Sequence, residues 1–127
     1  MARAQKLLTP VRISGTLSDL GTQQWSMSLN KSGFIVPVRT VTASGDITED
    51  DRVVLVDAGS GNLSMDVYST SSNAGAMVTI KKKDTSTNTV TITTEGSDTI
   101  DGRAELYLQA PYDSVTLVSD GSNWFVI

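Results

Sequence analysis

The residues best equipped for chemistry in this chain are its carboxylates. The densest group is the run GDITEDD, which holds Asp46, Glu49, Asp50 and Asp51. Oxygen-rich clusters of this kind suit Ca²⁺. This run lacks the alternating acids and central glycine of an EF-hand loop, so it reads as a solvated loop opening the strand that follows. Two carboxylates about 5 Å apart would cleave a glycoside, but spacing along the chain places no pair at that distance. DAGSGN carries Gly59 and Gly61 without the Lys-Ser/Thr and helix of a phosphate-binding loop, and reads as a hairpin turn. In the basic run KKKD, Lys81 and Lys83 share one face of a strand and Lys82 takes the other, where lysines guard a sheet edge against further pairing. The chain has neither histidine nor cysteine. That removes the Ser-His-Asp triad, imidazole and thiolate metal ligands, and any disulfide. No enzyme is expected, and no catalytic, cofactor-binding or metal-ligating residues.

The elements that position these residues are therefore the more informative subject. The 127 residues suffice for one domain with a modest core, and charged residues make up only 19%. Ser and Thr fill the gap, as suits pleated sheets and their turns. Charge divides the chain. Residues 1–45 set five cations against Asp19 alone, giving +4, whereas 46–127 set five cations against thirteen acids, giving −8. This split suggests a basic docking arm at 1–37 and an acidic body at 38–127. The acidic body disfavours nucleic acid. The N-terminus has no apolar run of signal-peptide length and nothing approaches a membrane span, so a chain made in the cytoplasm and no membrane partner are expected.

Within the arm, Pro10, Gly15, Gly21, Gly33 and Pro37 interrupt short β-prone pieces, and Trp25, Met27 and Leu29 alternate as in a half-buried strand. Arm residues expected to touch a partner are Arg3, Lys6, Leu7, Leu8, Val11, Arg12 and Ile13. From residue 38 the chain offers strands at 38–44, 52–57, 63–69, 76–82, 88–94, 104–109, 114–119 and 123–127, separated by Gly, Asn, Asp and Ser clusters. The expected fold is all-β: a small antiparallel β-sandwich or barrel of about eight short strands behind an extended N-terminal arm. TVTASGDI echoes TITTEGSDTI, and VVLVDAGSGNLSMDV echoes VTLVSDGSNWFVI; two related halves packed face to face would produce this, and so would β-composition with Gly turns. The last four residues, Trp124, Phe125, Val126 and Ile127, are all apolar. On a regular strand Trp124 and Phe125 point to opposite faces. One meets the domain's own core and the other needs a cover, so these four are the expected core latch and subunit interface. With no disulfides, oligomerisation is the expected source of further stability.

The segment TIDGRAELYLQAP followed by YDSVTLVSDGSNWFVI is similar to the ending of many tailed-bacteriophage virion proteins, where a TIDG-like turn and an SxTLxSDGxNWxxI-like hairpin close a small β-domain. The matching positions are Thr99 to Gly102, Ser114, Thr116, Leu117, Ser119, Asp120, Gly121, Asn123, Trp124 and Ile127. The resemblance covers residues 85–127 well and 38–84 in style only. It implies a homotrimeric structural protein of the virion, with no catalytic set to carry over. A short chain without a shaft looks most like a capsid decoration or cement protein, whose arm lies on the major capsid protein at the capsid exterior. The alternative is a host-receptor-binding tip of a tail or head fibre, with a host surface glycan as its partner.

Overall fold

The computed structural model describes residues 28–30 and 33–127; side chains are described from Ile35 onward. These residues form eleven strands and no helix. β1 (Ser28–Asn30) and β2 (Gly33–Ile35) make a small antiparallel hairpin. The rest of the chain then moves between two sheets. β3 (Val38–Val41), β5 (Val53–Val56), β7 (Met77–Lys82), β10 (Ser114–Ser119) and β11 (Trp124–Val126) belong to a five-stranded sheet. β4 (Gly45–Ile47), β6 (Leu63–Val67), β8 (Val90–Thr94) and β9 (Glu105–Leu108) belong to a four-stranded one.

The body is all-β, but it is neither an antiparallel sandwich nor a closed barrel. From β3 to β8 each strand lies in the opposite sheet to the one before it, and same-sheet neighbours run parallel: β3 with β5, β5 with β7, β4 with β6, β6 with β8. Parallel neighbours need a long crossover, and here each crossover is a strand of the facing sheet. The chain thus winds three flattened coils, 38–47, 53–67 and 77–94. It then reverses: β9 runs antiparallel to β8, β10 to β7, and β11 to β10.

This winding changes the meaning of several segments. DAGSGN joins Val56 of one sheet to Leu63 of the other and is a corner, not a hairpin. GDI of the acidic run is strand β4, not loop. KKKD ends β7, the central strand of the five, so it guards no edge. The two echoing halves do not correspond either: 53–67 is a coil spanning both sheets, whereas 115–127 is a hairpin within one.

Inward side chains stack in register from coil to coil. Val54, Ile80 and Val115 line one sheet, and Met65, Ile92 and Leu106 the other. They meet in one apolar core that also contains Ile47, Val67, Leu117 and Trp124. Burying aliphatic side chains of this size contributes roughly 1.5–3 kcal/mol each before entropy is counted.

Candidate assembly surface

The buried ionisable groups brace corners. Lys82 follows Val41 and Val56 in an inward-facing row and has no exposed surface. Its ammonium donates to Asp84 Oδ2 at 2.9 Å and to the Ser86 carbonyl at 2.7 Å. Asp84 also accepts from the Ala58 N–H at 2.7 Å and from the Ser86 hydroxyl, joining the β5–β6 and β7–β8 corners. Burial alone would raise the Asp84 pKa, but hydrogen bonds from Ser86, Lys82 and the backbone outweigh it and hold the carboxyl well below the usual carboxylate range. Bonded to a carboxylate and a carbonyl oxygen, Lys82 is a structural pin.

Asp51 belongs to the acidic run read as solvated, yet it is buried. Arg39 grips it with two bonds, Nε to Oδ1 at 2.9 Å and Nη2 to Oδ2 at 2.7 Å, and also donates to the Asp46 carbonyl at 3.0 Å. Burial pushes Asp51 up, and Arg39 with the Thr48 N–H brings it below its ordinary value. No group of three or more acids poised for a metal ion lies among the described residues.

The C-terminal hairpin is built as a clasp. Asp120 Oδ1 accepts from the N–H groups of Ser122 and Asn123, at 2.8 Å each, and Gly121 takes φ +95° beside Ala74. Trp124 enters the core, its ring edge-on to Tyr68 at 5.2 Å and its indole N–H on the Tyr68 carbonyl at 3.2 Å. On the far side of β11 lies the TIDG turn. Asp101 and Gly102, at φ 50° and 80°, sit in the left-handed region that a two-residue hairpin demands. Thr99 donates N–H and Oγ1–H to Asn123 Oδ1, at 2.9 and 3.0 Å. The Trp124 N–H donates to the Thr99 carbonyl at 2.8 Å, and the Val126 N–H to Asp101 Oδ1 at 3.0 Å. The two segments that carry the sequence resemblance are thus bonded to each other.

Of the four terminal residues, Trp124 alone is buried; Phe125, Val126 and Ile127 are exposed. Phe125 belongs to a larger feature, the outer face of the five-stranded sheet. One row across it reads Phe125, Val118, Met77. The next reads Thr116, Thr79, Val53, Val38, with Ile127 hydrogen-bonded beside Thr116 and the two threonine hydroxyls 2.9 Å apart. A third reads Ser114, Lys81, Leu55, Thr40. Val38 is 57% exposed, Met77 44%, Phe125 40% and Ile127 68%. These three rows carry no acid and one cation, Lys81, which is turned onto the Tyr112 carbonyl at 2.7 Å.

The outer face of the four-stranded sheet is the opposite in character. Its rows read Asp46, Asp66, Thr93, Glu105 and Ser64, Thr91, Tyr107. Sequence reasoning found Phe125 but missed Val38, Val53, Leu55, Met77 and Val118 as one surface. The available signal was VVLV at 53–56, apolar at every position, which means a strand apolar on both faces. Arg3, Lys6, Leu7, Leu8, Val11, Arg12 and Ile13 lie outside the described residues. The chain matches no protein-family model and no curated protein, so its functional reading stands on these two faces and on the resemblance of its final segment.

Proposed function

We propose that this protein is a non-enzymatic structural component of a tailed-phage virion, a homotrimeric decoration protein that binds the major capsid protein through its basic N-terminal arm and stabilises the head from outside. The observation that carries the reading is how the body spends its side chains. Its buried charges Lys82 and Asp51 are each paired at a corner, with Asp84 and Arg39, while exposed Val38, Met77 and Phe125 share one sheet face. A body built this way meets other proteins by surface rather than by cleft. The virion setting comes from the resemblance of residues 85–127, whose TIDG and SDGSNW segments are bonded partners here.

Two measurements test it. Purified particles should carry hundreds of copies; a handful at one vertex would overturn the decoration role. A chain lacking residues 1–20 should remain folded and trimeric yet fail to bind heads, whereas retained binding would remove the arm from the mechanism.

The receptor-tip reading is favoured by one feature, the exposed rings of Tyr107 and Tyr112. Tyr107 stands beside Glu105, whose Oε2 accepts its hydroxyl at 2.6 Å, and such ring-and-carboxylate surfaces suit sugars. Binding of the isolated body to host surface glycan would support it.

A further inference from the structure

We infer that the outer face of the five-stranded sheet is where copies of this chain meet one another, centred on the row Met77, Val118, Phe125. The inference rests on the trimer reading above and assigns its surface.

Charge supports a self-contact. The chain carries a net charge of −4, and acids line the opposite sheet in the row Asp46, Asp66, Glu105. Identical copies repel through such a surface, so they approach best through one that carries no acid. The Met77 face is that surface. Of its cations, Lys81 is already held by the Tyr112 carbonyl and ring, and Lys83 follows on the same face just past β7.

Area sets the scale of the contact. Five strands about 4.8 Å apart, with about five residues each at about 3.3 Å, give a footprint on the order of 400 Å². Two such faces pressed together bury about 800 Å², short of the roughly 1,200 Å² at which specific pairwise interfaces begin, so the contact has to extend beyond these rows. Val36 and Ile35, just before β3 in the chain, are exposed apolar residues as well. A cyclic trimer closes on itself and leaves the acidic faces outward.

The experiment uses the full chain, which has no cysteine of its own. Single variants Met77→Cys, Phe125→Cys and Tyr107→Cys are oxidised and resolved by denaturing gel, and the mass of the charged double variant M77D/F125D is measured in solution. Disulfide-linked chains are expected from Met77→Cys and Phe125→Cys and not from Tyr107→Cys. The wild type should have three times the 13.5 kDa chain mass, and M77D/F125D a threefold lower mass with the native emission of buried Trp124. A monomeric wild type, cross-linking through Tyr107→Cys alone, or a folded M77D/F125D that stays trimeric would each overturn the inference. Protection of the face within a monomer would assign its cover to another segment of the same chain and overturn it equally. The two proposals fail separately: a trimer that cross-links through Met77 but is missing from heads sinks the decoration role alone.

Discussion

Lys82 sits where the row it belongs to, Val41 and Val56, calls for another aliphatic residue. A buried ion pair is tolerated when further hydrogen bonds complete both partners, and removing one partner strands the other's charge. Asp84→Asn should therefore cost about 3–5 kcal/mol in denaturant unfolding. K82M/D84N should recover most of that loss, because Met continues the apolar row. The sign of the pH dependence follows from the depressed Asp84 carboxyl. A group whose pKa falls on folding contributes fully above its unfolded value of about 3.9, and that contribution drains away as pH drops toward the native value. Asp51 acts in the same direction. Stability should hold through neutral pH and fall below about pH 4, with a flatter acid limb in Asp84→Asn. The alternation of KKKD put Lys82 opposite its neighbours, yet whether that face looked into a core or past an edge depended on which strands flank β7, which local spacing does not encode.

Among the elements, eight strands were legible because alternation and Gly-rich breaks are local signals. The ninth strand of the body, Gly45–Ile47, was hidden: it is three residues long and begins inside an acidic run. Strand order was not legible. A Gly-Ser-Asn cluster turns a chain equally well back along its own sheet or across to the facing one. DAGSGN crosses, with Asn62 Oδ1 accepting the Thr89 N–H of the next coil's corner, while SDGSN folds back. The clasp is where sequence reasoning reached furthest, since Asp-Gly at 101–102 and at 120–121 both mark real turns. Trp124→Ala should cost roughly 3–5 kcal/mol through the cavity it leaves. Asn123→Ala should cost about 1–3 kcal/mol by stranding the Thr99 donors. Thermal unfolding of both variants checks the order, and an Asn123→Ala loss as large as that of Trp124→Ala would mean that the clasp outweighs the ring it holds.

For the whole molecule, the two sheets share one core and differ outside, and that difference organises the proposed assembly: apolar faces together, acidic faces to solvent. The reversal after β8 has its own consequence. A parallel winding has no inherent length, since each coil presents to the next the same edge it received. Here β9, β10 and β11 turn the chain back and the Thr99–Gly102 turn closes the outer edge of β11, so growth at that end stops. The body's height is therefore quantised. Adding one coil between β4 and β5 would change it by a single strand spacing of about 4.8 Å and keep the Tyr68 and Ala74 contacts of the clasp in place. Such a chain can be refitted to a partner of different dimensions in whole steps, without redesigning either end.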